Sequence, residues 1–193
     1  MDFDFLTERE ACGTAVTYGV LRGGENIIFV KAGRGGNYRG YKDKYVRFAE
    51  YLRDNFGTSV ICASNPDECR SSFEADASVI LEYARGFDAP KLYLWGTSDG
   101  GFKCIDLAEK LEFERLLIVN MPLMINFYKT KEKLRTFEAA RIAFFYGDRD
   151  PSFKYTPFLY SLHGAKLVEL ENTGHNVDMS ENEMKMFAKY LFS

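Results

Sequence analysis

Short apolar runs alternate along this chain with longer stretches in which apolar residues recur every three or four positions. That alternation is the pattern of strands separated by helices. It confines the fold to the α/β class, as a three-layer α/β/α sandwich whose mostly parallel sheet carries helices on both faces. Ile27-Ile28-Phe29-Val30 reads as a buried strand running into a glycine cluster. Tyr45, Phe48, Ala49, Leu52 and Phe56 share one face of a helix predicted over Lys42 to Phe56, which Gly57 stops. A strand at Ser59 to Cys62 follows, then a helix carrying Phe73, Ala77, Ile80, Leu81 and Ala84, and then the strand Lys91 to Trp95.

The glycine-bounded turn Gly96 to Gly101 leads into a helix with Cys104, Leu107, Ala108 and Leu111 on one side. Arg115 to Val119, Arg141 to Tyr146 and Lys166 to Leu170 are further strands, and Ser180 with Glu183 forms a capping box for a last helix. With a first strand around Thr14 to Leu21, the pattern predicts about seven or eight strands. Met121 to Ala140 mixes apolar residues with the charge cluster Lys129 to Lys133, which fits either a helix or an irregular surface excursion.

Nothing divides the 193 residues by repeat, low-complexity tract or linker, so residues 1–193 are expected to form one domain. The 25 basic residues are scattered and the formal net charge is −3, which argues against a nucleic-acid partner. Cys12, Cys62, Cys69 and Cys104 have no CxxC spacing and there are two histidines, so no metal site or structural disulfide is expected. The segment Met1 to Leu6 lacks a charged and apolar signal, and no apolar run approaches the roughly 20 residues of a membrane span. These features predict a cytoplasmic protein with no membrane partner.

In an open parallel sheet the ligand crevice lies at the carboxyl ends of the strands, so chemistry is sought in the loops that follow them. Gly96-Thr97-Ser98-Asp99-Gly100 reads G-x-S-x-G between a strand and a helix, the pattern of a turn sharp enough to lift a serine hydroxyl above the sheet. A serine needs an imidazole to take its proton and a carboxylate to hold that imidazole. His175, in Thr173-Gly174-His175-Asn176, directly follows the last strand, whereas His163 before Gly164 reads as a surface residue at a helix end. Asp148 and Asp150 of Gly147-Asp148-Arg149-Asp150 both follow the penultimate strand, and position alone leaves both open.

With these motifs the chain resembles the α/β-hydrolase fold family over nearly its whole length. The order Ser98, Asp150, His175 matches the family's order of nucleophile, acid and histidine, and its G-x-x-D segment singles out Asp150 over Asp148. The resemblance implies two backbone N–H donors for an oxyanion, from Asp99 after the nucleophile and from Arg34 in Ala32-Gly33-Arg34-Gly35-Gly36. Each such donor contributes on the order of 3 kcal/mol. Many members carry a His-Gly pair where this chain has Ala32-Gly33. The resemblance also implies that Thr14 to Leu21 and Ile27 to Lys31 are not sheet neighbours, although Gly23-Gly24 between them suggests a hairpin. Only about 20 residues, Met121 to Ala140, stand where members often carry a large cap, so an open cleft is expected.

The function this implies is hydrolysis of an ester or thioester of a small acyl substrate through an acyl-enzyme on Ser98, without metal or organic cofactor. An acyltransferase would use the same residues, and a non-catalytic small-ligand-binding protein would keep the fold. A homodimer is compatible with the sequence. Arg34, Arg39, Lys103 and Arg149 are candidates for a cationic rim offset by Asp99 and Asp148, although solvation of the surface is the simpler reading. Tyr38, Tyr41, Phe102, Met121, Phe127 and Tyr128 are the aromatic and apolar residues nearest the expected cleft.

Overall fold

A computed structural model describes residues 2–125, 127–162 and 164–192. Eight strands form one open sheet: β1 (Phe5–Ala11), β2 (Thr14–Leu21), β3 (Ile27–Lys31), β4 (Ser59–Ala63), β5 (Leu92–Thr97), β6 (Arg115–Val119), β7 (Ile142–Gly147) and β8 (Lys166–Leu170). Their spatial order is β1-β2-β4-β3-β5-β6-β7-β8. The pairs β1/β2 and β2/β4 are antiparallel and the other five are parallel. β4 thus separates β2 from β3, as the resemblance implies and the local glycines do not.

Among the described residues five α-helices, α1 (Lys44–Phe56), α2 (Phe73–Ala84), α3 (Asp99–Ala108), α4 (Phe127–Leu134) and α5 (Glu181–Leu191), accompany the sheet. Side chains alternate across a strand, so each central strand feeds two cores. Ile28, Val30, Trp95, Leu117, Val119 and Phe145 pack against α1 and α5, while Ile27, Phe29, Leu94, Leu116, Ile118 and Phe144 face α2 and α3. Trp95 anchors the first core, with its ring 4.8 Å from Phe48 and 5.7 Å from Phe187. Ser180 accepts from the Glu183 N–H at 3.3 Å while the Glu183 carboxylate accepts from the Ser180 N–H at 2.7 Å, completing the predicted capping box.

Two elements differ from the sequence reading. β1 lies upstream of the expected first strand, where only Phe5 and Ala11 are apolar on the face turned inward, so no apolar run announces it. Its turn into β2 has positive φ at both central residues, 53° at Cys12 and 76° at Gly13, which suits a tight hairpin. The Met121 to Ala140 excursion contains the short α4, joined to α3 by Lys133, whose ammonium bonds Asp106 at 2.5 Å and Glu109 at 2.7 Å. His163 lies outside the described residues.

Candidate active site

β5 ends at Thr97 and α3 begins at Asp99, so Ser98 alone makes the turn between them. Its backbone adopts φ 52° and ψ −125°, a conformation that costs a non-glycine residue of order 1–3 kcal/mol. The surrounding backbone leaves no room for side chains. A Cβ on Gly96 would stand 2.4 Å from the Gly100 carbonyl oxygen, and one on Gly100 would stand 2.4 Å from the Lys31 oxygen and 2.5 Å from that of Ala32. Both glycines of the pattern are therefore required sterically, and Gly100 lets α3 lie directly against the end of β3.

The loop after β3 closes over the serine. A Cβ on Gly33 would come within 3.1 Å of the Ser98 Cβ. Gly36 N–H donates to Gly33 O at 2.9 Å and Gly35 N–H to Asn65 O at 2.8 Å, which fixes the loop. The buried Asn65 amide donates to Ala32 O and to an Asp99 carboxylate oxygen, both at 3.1 Å. Burial pushes the Tyr45 phenol up to about 12, and its hydroxyl meets the Thr97 side chain and the Gly33 backbone. Arg34 and Asp99 border the cleft beside Ser98. Among the described residues, neither backbone N–H donates to a protein acceptor.

The remaining two residues come from the loops after β7 and β8. His175 Nε2 lies 2.9 Å from Ser98 Oγ, and its Nδ1 lies 2.5 Å from Asp150 Oδ2. A carboxylate only accepts, so the imidazole proton sits on Nδ1 and Nε2 is left to accept from the serine hydroxyl. Asp150 is buried, and its other oxygen accepts from Ser152 N–H at 2.7 Å. Asp148 faces elsewhere, accepting from the N–H groups of Asn172 at 2.9 Å and Thr173 at 3.0 Å. It ties the two loops together, while Asp150 alone meets the histidine.

Asn120, the residue after β6, is fully buried at φ 49°. Its amide nitrogen donates to Gly174 O at 3.0 Å and His175 O at 2.9 Å, and its oxygen accepts from Gly147 N–H at 2.9 Å. It therefore joins the loop bearing Asp150 to the loop bearing His175. The sequence reading ends this strand at Val119 and gives Asn120 no role; the weak signal available is an asparagine, tolerant of positive φ, at the carboxyl end of a parallel strand.

Two clefts meet at Ser98 and His175. The larger, of about 570 Å³, is walled by Phe102, Lys103 and Asp106 of α3 and by Pro122, Ile125 and Thr130 from the excursion after β6. The smaller, of about 390 Å³, lies over the glycine loop and reaches Tyr41 and Lys44. Burial holds the Lys44 ammonium below its usual pKa, and it donates to Val177 O at 3.0 Å.

Of the rim candidates, Arg34 and Lys103 line the larger cleft, together with Arg70 and Lys133, which the sequence reading passed over. Arg39 instead pairs with Asp43 at 2.7 Å and Asp2 at 2.5 Å, and Arg149 bonds Asn172 at 2.7 Å. Of the aromatic and apolar candidates, Phe102 and Tyr41 line the clefts. Met121 is buried beneath Gly101, Tyr38 packs on Phe3, and Tyr128 projects from the surface. The Phe127 side chain lies outside the described ones.

No helix of the described residues is long and apolar enough to cross a membrane. No family model and no curated protein matches the chain. Solved structures do resemble it. Est1E from Butyrivibrio proteoclasticus is 14% identical with a TM-score of 0.69, over 97% of this chain and 99% of that one. An α/β serine hydrolase homologue from Coxiella burnetii is 13% identical with a TM-score of 0.67, over 99% and 97%. XC6422 from Xanthomonas campestris, an α/β serine hydrolase without a lid, is 16% identical with a TM-score of 0.61, over 97% and 91%. At such identities the likeness is one of architecture, and it agrees with the strand order, the elbow and the short excursion after β6: the chain has the α/β-hydrolase fold, without a large cap.

Proposed function

We propose that this protein is a serine hydrolase that cleaves an ester or thioester bond of a small acyl substrate. The observation that carries this reading is the unbroken series of hydrogen bonds from Ser98 through His175 to the buried Asp150, set where two clefts meet. Ser98 Oγ attacks the acyl carbonyl while His175 Nε2 takes its proton, and Asp150 stabilises the imidazolium that results. The Arg34 and Asp99 N–H groups receive the oxyanion. His175 then gives its proton to the departing alkoxide or thiolate, leaving an acyl group on Ser98. A water molecule, deprotonated by His175, attacks that acyl group and releases the acid and free Ser98.

The clefts divide the substrate. Phe102 and Ile125 offer the larger one an apolar wall, yet it is open and shares its lining with Arg34, Arg70, Lys103 and Lys133. Such a cleft suits a short or polar acyl group better than a long hydrocarbon, which would remain in water along much of its length. The partner is a small acyl substrate, and none of these steps draws on a metal or organic cofactor.

Labelling with a fluorophosphonate probe, read by intact mass, tests the reading. A single adduct on the wild type that disappears in Ser98→Ala and His175→Ala is expected. A folded wild type that takes no adduct would overturn the proposal in favour of a binding protein. Product partitioning that shifts when an alcohol or amine is added would identify an acyltransferase instead.

A further inference from the structure

We propose that Cys12 and Cys69 form a reversible disulfide, a redox-responsive clasp between the β1–β2 turn and the segment that borders the larger cleft. The two thiols come from separate parts of the sequence, and Cys12 docks on the Ser71 backbone with the Cys69 thiol beside it. Cys12 is exposed at the tip of the hairpin, where an oxidant reaches it, while Cys69 is buried behind it. Cys12 Sγ also donates to Ser71 O at 3.2 Å and accepts from Ser71 N–H at 3.5 Å, so the turn is already docked on this segment.

The surroundings give the two sulfurs different roles. Hydrogen bonding from the Ser71 backbone, then from the Cys69 thiol and the Arg70 backbone, with the nearby Lys103 ammonium, holds the Cys12 thiol below its usual pKa. Burial, together with the neighbouring Cys12, pushes the Cys69 thiol up. Cys12 is thus the more readily ionised of the two sulfurs, and Cys69 the thiol held in reserve to resolve the oxidised product. Cys62 and Cys104 are fully buried in the cores on opposite faces of the sheet, where burial pushes both thiols up, and they serve as internal controls.

The chemistry needs a hydroperoxide. The Cys12 thiolate attacks the peroxide oxygen, gaining an oxygen as sulfenic acid, and the O–O bond breaks to release an alcohol, or water from hydrogen peroxide, after protonation. The Cys69 sulfur then displaces the sulfenic oxygen as water, so the two thiols lose two electrons and the peroxide gains them. Two equivalents of a small thiol reverse the change by exchange and leave as their own disulfide.

The clasp acts next to the proposed catalytic centre without being part of it. Lys103, on the helix that starts beside Ser98, donates to the carbonyl oxygens of Cys69 and Arg70. Arg70 and Lys103 both line the cleft that holds Ser98 and His175. Locking Cys69 to the hairpin therefore constrains the segment that carries Arg70.

The test is treatment of the intact protein with hydrogen peroxide, followed by thiol counting, intact mass and peptide mapping. The expected result is a fall from four reactive thiols to two in denaturant, a loss of about 2 Da, and a linked pair of peptides holding Cys12 and Cys69, all reversed by dithiothreitol. Cys12→Ser, a change at an exposed turn, should abolish the loss. Sulfinic acid on Cys12 without linkage, a bond to Cys62 or Cys104, or linkage only between two molecules would each overturn the proposal. None of these readouts depends on hydrolase activity.

Discussion

The side-chain amide of Asn120 donates to the backbone carbonyl of His175 at 2.9 Å. The histidine is thus held from two sides, by the Asp150 carboxylate on its ring and by Asn120 on its backbone. Replacing Asn120 with Ala strands the Gly174 and His175 carbonyls and the Gly147 N–H. With a buried unsatisfied group costing roughly 1–3 kcal/mol, Asn120→Ala should lower stability by about 3 kcal/mol or more in urea titrations. Fluorophosphonate labelling of the folded variant should slow by roughly tenfold or more, since about 1.4 kcal/mol lost from the oriented histidine is a factor of ten.

The two aspartates after β7 predict opposite phenotypes. Asp150→Asn keeps the shape of the site but presents a donor where the His175 proton needs an acceptor, and should reduce kcat by about 10⁴-fold with near-native stability. Asp148→Asn weakens the clamp on the Asn172 and Thr173 N–H groups, so its effect should appear mainly as a lowered Tm, with kcat within about tenfold of wild type. Steady-state kinetics on a short-chain ester, run beside thermal melts, separates the two.

Beneath the site, Lys31 and Asp76 form an ion pair at 2.9 Å with both side chains fully buried. Tyr18 and Ser72 hydroxyls donate to the same carboxylate at 2.8 and 2.6 Å. Removing one partner leaves an uncompensated charge, so Asp76→Ala should cost about 3–5 kcal/mol, whereas Lys31→Met combined with Asp76→Leu should recover only the part due to the charge, the Tyr18 and Ser72 hydroxyls being left without their acceptor. Chemical denaturation of the three proteins decides it, and a double variant no more stable than Asp76→Ala would contradict the account.

Cys12 should alkylate with a pH dependence of its own. Its folded-state pKa is depressed, so its thiolate is present at lower pH than that of a free cysteine, whose midpoint is about 8.5. The midpoint of iodoacetamide capture at Cys12 should therefore lie at lower pH than that of a free cysteine, and Lys103→Met should move the profile upward. Cys62 and Cys104 should remain unmodified across the same range in the folded protein.

Strands β3 to β7 could be read from sequence because they are covered on both faces and write nearly continuous apolar runs, Ile27-Ile28-Phe29-Val30 being the clearest. β1 could not, because it is a sheet edge whose outward positions are Leu6, Glu8 and Glu10. Sheet order was not legible from the chain's own pattern, since the strongest local signal, Gly23-Gly24, points to a hairpin that the fold does not make. Ser98, Asp150 and His175 stand out because each follows a strand in a recognisable segment. Asn120 lacks any such surrounding pattern, and the meeting of Cys12 with Cys69 depends on a tertiary contact that no spacing rule encodes.

The contact of Gly100 with the Lys31 and Ala32 carbonyls has a further consequence. The main chain that carries Ser98 and the main chain that carries the Arg34 N–H touch directly, with no side chain between them to act as a cushion. On warming, the two cannot drift apart by degrees while the sheet remains intact. Heat should then extinguish probe labelling in a single step coincident with loss of the sheet, and no inactive but folded plateau should precede it.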